Sequence, residues 1–152
     1  MVPKKRGLPP VNLLVQYALS FVGTPYKWGG SNSLEGLDCS GLVQSILASA
    51  GIDPPGDQTA QSLFDHFDKL GATPNRHGPG SLAFYGQSVT KITHVAFMLD
   101  TYRVLEAGGG GHLTLTFEDA ARQSALIRIR KINHRNDLVA VLRPSYSKIG
   151  VI

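Results

Sequence analysis

The chain is 152 residues long, 42% hydrophobic and 17% charged. That composition fits one compact domain with a sizeable core and argues against disorder. The net charge is +4, the single cysteine excludes an intramolecular disulfide framework, and no apolar run is long enough to span a bilayer.

Residues 1–9 form a basic, proline-containing arm that begins Met1-Val2-Pro3-Lys4-Lys5-Arg6. This start resembles the charged end of an export signal. Pro9-Pro10 breaks the pattern, however, Asn12, Gln16 and Ser20 dot the apolar run, and no small-residue cleavage site follows. No export signal is expected. Leu13, Leu14, Tyr17, Ala18, Phe21 and Val22 keep helical spacing, so a first helix is predicted over residues 10–22, opening a domain that runs over 10–152.

Pro25-Tyr26-Lys27-Trp28-Gly29-Gly30 is turn-rich and leads to a second predicted helix over 39–50. Gly51 and the Pro54-Pro55-Gly56 turn end it. A third helix is predicted over 59–70, with Leu63, Phe64 and Phe67 as its apolar face. After a loop at 75–80, strand-like segments follow at 81–85, 94–99, 103–107, 113–117, 125–132 and 138–142. Helices first and strands after them predict an α+β domain, its antiparallel sheet packed by the second helix.

Positive charge gathers late, at Arg122, Arg128, Arg130, Lys131, Arg135, Arg143 and Lys148. It reads either as a solvated basic face or as an attraction for an anionic polymer or acidic partner. Nucleic acid is not expected, because no basic pattern interleaves with aromatics.

Chemistry centres on Gly36-Leu37-Asp38-Cys39-Ser40-Gly41, which places the only thiol where the second helix begins. The positive end of a helix dipole favours the thiolate, the nucleophilic form. A thiol nucleophile needs a base and a group that orients the base. None of the five histidines pairs with another at metal-ligand spacing, so no zinc site or other cofactor is expected. His94 is preferred as the base because it starts a strand-like segment, sharing a face with Ala96 and Met98. If that strand turns near Asp100, Met98 opposes Tyr102, Ala96 opposes Val104 and His94 opposes Glu106. Glu106 then becomes the orienting acid.

The motifs resemble the NlpC/P60 family of cell-wall cysteine peptidases. The matching residues are Gly23-Thr24-Pro25-Tyr26, Trp28-Gly29-Gly30, Asp38-Cys39-Ser40-Gly41-Leu42-Val43 and Thr93-His94-Val95-Ala96-Phe97-Met98-Leu99. The likeness extends from about Leu13 to Leu142. It implies a papain-like fold with N-terminal helices on a central antiparallel sheet. It implies catalysis by Cys39 and His94, with a third polar residue at Glu106, where the family often has histidine. Tyr26, Asp38 and Ser40 are implied walls of the pocket on the N-terminal side of the scissile bond. Asp38 can pair with the ammonium of a peptide stem, or serve only as a helix N-cap.

The implied substrate and partner is bacterial peptidoglycan, cut between γ-D-glutamate and a diamino acid. With no export signal expected, delivery as part of a phage tail, through a secretion assembly, or by lysis fits, and the phage route is preferred. Two rivals stay open: a CHAP-type amidase acting on a different wall bond, and a catalytically silent structural module. The chain departs from the family in two places. Gly78-Pro79-Gly80-Ser81-Leu82 lacks the usual aspartate after the turn, and Pro54-Pro55-Gly56-Asp57-Gln58-Thr59 lacks the usual arginine. Ala107-Gly108-Gly109-Gly110-Gly111-His112 reads equally as a flexible flap or a plain connection.

Overall fold

The computed structural model describes residues 10–32, 36–110 and 113–146. The predicted arm at 1–9 lies outside the described residues.

Helix α1 (Pro10–Leu19) is shorter than its predicted span. Beyond Leu19 the chain tightens into three-residue turns, Phe21 N–H to Ala18 at 3.1 Å and Val22 N–H to Leu19 at 3.2 Å. A small hairpin, β1 (Ser31–Asn32) and β2 (Gly36–Leu37), precedes α2 (Cys39–Ser49). Asp38 starts α2 in an extended conformation, its carboxylate accepting from the Gly41 N–H at 2.7 Å. This satisfies one of the unpaired donors of the first turn. Helix α3 (Ala60–Lys69) opens on a reciprocal cap between Thr59 and Ser62 and buries Leu63, Phe64 and Phe67 as predicted.

The main sheet contains β3 (Thr73–Pro74), β4 (Leu82–Gly86), β5 (Ile92–Met98), β6 (Arg103–Gly108), β7 (Leu126–Lys131) and β8 (Leu138–Arg143). Their order is β3-β8-β4-β5-β6-β7, and every pairing is antiparallel. The α+β expectation is met. Helices α2 and α3 pack on β5, and α2 also reaches β6. Side chains on one face of the sheet, including Phe84, Val95, Phe97, Leu105 and Ile127, join Leu42, Ile46, Leu47, Leu63 and Phe64 of the helices in one core. The opposite face carries a smaller cluster of Ala83, Tyr85, Ala96, Met98, Val104, Ile132 and Val141. Burial on both faces explains why β4 and β5 read as nearly continuous apolar runs.

Two expectations need correction. Residues 113–117 form no strand. Leu113, Leu115 and Phe117 are exposed, and Thr116 instead caps α4 (Phe117–Gln123) in a reciprocal box with Asp119. Two good caps outweigh an apolar alternation with no second layer to cover it. The β5–β6 register is also two residues from the predicted one, pairing Phe97 with Leu105 and Met98 with Val104. Its cause lies in the turn. The Asp100 carboxylate accepts from the N–H groups of Tyr102 at 2.8 Å and Arg103 at 2.7 Å, so Tyr102 is held in the turn rather than in the ladder.

The turn-rich segment before α2 docks twice. It hydrogen-bonds along β7, Gly23 N–H to Ile127 and Ile127 N–H to Thr24 at 2.8 Å each, and Tyr26 N–H to Ala125 at 3.0 Å. It also presses against α2: a Cβ built on Gly41 would overlap the Gly30 carbonyl. No helix among the described residues is long and apolar enough to cross a membrane.

Candidate active site

The site assembles from the start of α2, the first half of β5 and the middle of β6. Cys39 is the first residue of α2 and half-buried. Its side chain hydrogen-bonds the His94 ring. On the other side of that ring, Nε2 lies 2.6 Å from Glu106 Oε2. Glu106 thus occupies one nitrogen, and Nδ1 is left for Cys39. His94 and Glu106 are both buried, with side chains 9% and 4% exposed. The three residues expected to act together are brought together.

Electrostatics bind the trio. Burial, the largest influence on His94, pulls its pKa down. Hydrogen bonds to Cys39 and Glu106, with the negative charge on each, outweigh it and hold the imidazole at about 9. Burial likewise acts to raise the Glu106 carboxyl. The hydrogen bond from His94 and the positive charges of His94, His134 and Arg130 hold it below the usual range.

Tyr26, Asp38 and Ser40 flank the thiol. Ser40 is buried and donates to Asp38 Oδ1 at 3.2 Å. Burial raises the Asp38 carboxyl, opposed by the Gly41 N–H, the Ser40 hydroxyl and the Gly29 N–H. The N-cap role weighed for Asp38 is therefore real, and Asp38 also lines the groove. Tyr26 is kept a neutral phenol by burial and by the charges of Cys39 and Asp38. Its ring packs under Gly110, where any side chain would collide with it.

A groove of about 630 Å³ passes over Cys39, His94 and Glu106. Asp38 and Asp57 stand among its walls, as do Arg130, His134 and Arg135. Another cavity, of about 590 Å³, is lined by Asp53, His66, Arg76, Arg143 and Tyr146. It shares no residue with the groove and contains no thiol.

The NlpC/P60 family model matches residues 23–131. The chain belongs to the NlpC/P60 family. The matched span runs from the turn-rich segment to the end of β7, so it contains all six predicted site residues. Among NlpC/P60 relatives, the bifunctional muramidase/DL-endopeptidase CwlT of Bacillus subtilis is 35% identical over 111 residues, covering 72% of this chain and 32% of that protein. The gamma-DL-glutamyl hydrolase of the same organism is 31% identical over 106 residues, covering 68% of this chain and 25% of that protein. The chain thus spans about a third or less of the length of these curated relatives. A solved NlpC/P60 structure, of a lipoprotein-like protein from Staphylococcus aureus, aligns with a TM-score of 0.64 at 26% identity, over 94% of this chain and 44% of that one. The fold is shared by RipD of Mycobacterium tuberculosis, described as a non-catalytic NlpC/p60 domain protein, at a TM-score of 0.64 and 19% identity over 90% of this chain and 98% of that one.

Relative to the NlpC/P60 pattern, sequence reasoning missed three contributors to the site. His134 ends the 3-10 turn Ile132–His134, and its Nε2 is 3.0 Å from Glu106 Oε1. Arg130 Nε stands 3.8 Å from the same oxygen. The Tyr85 ring lies against both His94 and His134, with centroids 5.5 and 6.0 Å apart. Strand parity marks Arg130 as sharing the face of Glu106. No local signal marks His134, which arrives from a turn outside the strands.

Proposed function

We propose that this chain is a cysteine endopeptidase that hydrolyses peptidoglycan stem peptides at the bond between γ-D-glutamate and a diamino acid. One observation carries the reading: Cys39 at a helix start, hydrogen-bonded to His94, which is backed by Glu106, all open to one groove. The printed names of the relatives, a DL-endopeptidase and a gamma-DL-glutamyl hydrolase, support the substrate class.

In the proposed reaction the Cys39 sulfur attacks the scissile carbonyl. The oxyanion meets backbone N–H groups of the first turn of α2, where the fold leaves donors without helical partners. The His94 imidazolium gives a proton to the leaving amine, and a thioester to Cys39 remains. His94 then takes a proton from water, which attacks the thioester and frees the acid product. Glu106 holds the ring orientation and stabilises its charged form. Tyr26, Asp38 and Ser40 hold the substrate half that becomes the thioester.

The test is incubation of purified protein with peptidoglycan and identification of the fragments by mass spectrometry, with Cys39→Ala as control. New termini at the γ-D-glutamyl bond, absent with the variant, are the expected result. Release of the whole stem from the sugar would move the assignment to an amidase. Intact wall from several chemotypes would leave a binding module of the kind described for RipD.

A further inference from the structure

The carboxylate behind His94 is shared. Glu106 Oε2 meets His94, and Oε1 meets His134 Nε2 at 3.0 Å. The other nitrogen of His134, Nδ1, lies 2.9 Å from the Lys131 carbonyl oxygen. A carbonyl can only accept, so Nδ1 carries a hydrogen. Glu106 is held ionised by its surroundings, and a carboxylate also only accepts. Nε2 then faces the carboxylate at 3.0 Å, a contact that is attractive only with a hydrogen between them.

One buried carboxylate therefore faces two histidine rings, with the Arg130 guanidinium 3.8 Å from Oε1. The consequence concerns proton transfer. A full carboxylate charge concentrated on His94 would stabilise its charged form too strongly, and an acid that holds its proton too firmly is a poor donor to a leaving group.

Building on the peptidase reading above, we propose that His134 is a positioning residue of this site: a charged second partner that fixes the Glu106 carboxylate and draws part of its charge away from His94, keeping the His94 proton transferable. The surroundings are consistent with this assignment. Tyr85 of β4 packs against both rings, and its hydroxyl donates to the Ile132 carbonyl at 2.8 Å, pinning the turn that presents His134. Arg135 lies over the Tyr85 ring, 5.3 Å from its centroid, and donates from Nε and Nη2, one edge of its guanidinium, to Asp137 at 2.9 and 2.8 Å. Arg128 of β7 is opposite Glu106 in the ladder but donates to the Ser124 carbonyl. From α2, Cys39 faces His94. His134 is thus the side chain closest to the second Glu106 oxygen, 20% exposed against 43% for Arg130.

The experiment compares the full chain with His134→Gln and His134→Arg, using two readouts. The first is the NMR titration of the His94 ring, which needs no substrate. The second is the pH dependence of kcat/KM on a soluble γ-D-glutamyl–diaminopimelate peptide. Gln keeps a donor for Glu106 and loses the charge, so the His94 midpoint and the alkaline limb of kcat/KM move up together by about one pH unit. KM changes by less than about twofold, because no substrate contact is removed. Arg restores the charge and returns both readouts toward wild type. A His94 midpoint that stays or falls in His134→Gln overturns the proposal, as does a loss of thermal stability with no change in titration. A wild-type chain that cleaves neither peptide nor wall, yet shows the midpoint shift, supports the role of His134 on Glu106 and instead sinks the peptidase reading.

Discussion

Glu106 lies diagonal to His94, not opposite it, and still bonds the ring at 2.6 Å. Extending the observed register places Ala96, not His94, across from Glu106. A two-residue slip preserves the face of every side chain, whereas a one-residue slip would have turned Glu106 away. A diagonal neighbour is within reach of a glutamate side chain.

Replacing that carboxylate isolates its contribution. In Glu106→Gln the amide still fits but brings no charge, so the His94 pKa falls from about 9 toward its ordinary 6.5. The alkaline limb of kcat/KM moves down with it, and kcat drops roughly a hundredfold as the general acid is misaligned and less often charged. A pH–rate profile of this variant checks both, and an unmoved alkaline limb would remove Glu106 from the site.

The elevated His94 pKa also sets the pH behaviour of the native chain. His94 is held at about 9 against 6.5 in an unfolded chain. Its contribution to stability is full below about 6.5 and is lost as pH rises through about 9. Activity needs the same proton for the leaving amine, so kcat/KM declines over the same upper range. Thermal melts and initial rates measured in parallel from neutral pH upward should fall together.

Asp38 combines a structural role with a proposed binding role, and two substitutions separate them. Asp38→Asn retains an oxygen to cap α2, so its stability stays near wild type. Asp38→Ala loses about 1 kcal/mol. If Asp38 also pairs with a substrate ammonium, both variants raise KM for peptides with a free amino terminus. Urea denaturation and KM measured on the same preparations distinguish the roles.

Gly41→Ala tests the contact between α2 and the preceding loop. The new Cβ would overlap the Gly30 carbonyl, a backbone group that cannot rotate away. A loss of about 2 kcal/mol or more is expected from such overpacking, visible as a lower urea midpoint. Activity per folded molecule should fall as well, since relieving the clash displaces the start of the Cys39 helix.

The legible parts of the fold were those encoded locally. Asp38, Cys39 and Ser40 lie at a helix start, Tyr26 lies in the turn-rich segment that leads to it, and the apolar spacing of α2 and α3 sets the buried faces of those helices. Glu106 was legible because face parity survives an error in register. Helix α4 was not, because Leu113-Thr114-Leu115-Thr116-Phe117 alternates like a strand, although the Thr116 and Asp119 caps were present three residues apart. His134 was beyond reach for a different reason. Its place depends on a bond from Tyr85 to Ile132, which are 47 residues apart, and no local pattern encodes such a contact.

The pairing of residues 23–26 with β7 has a consequence for solubility. An outer strand with unpaired N–H and C=O groups is a template on which other chains can add, the first step toward aggregation. Here Gly23, Thr24 and Tyr26 occupy the Ala125 and Ile127 positions of that template with the molecule's own backbone. At the opposite border the terminal strand is only Thr73–Pro74, and Pro74 offers no N–H. At these positions one border of the sheet is thus already paired and the other is interrupted by a proline, which leaves less open ladder for another strand.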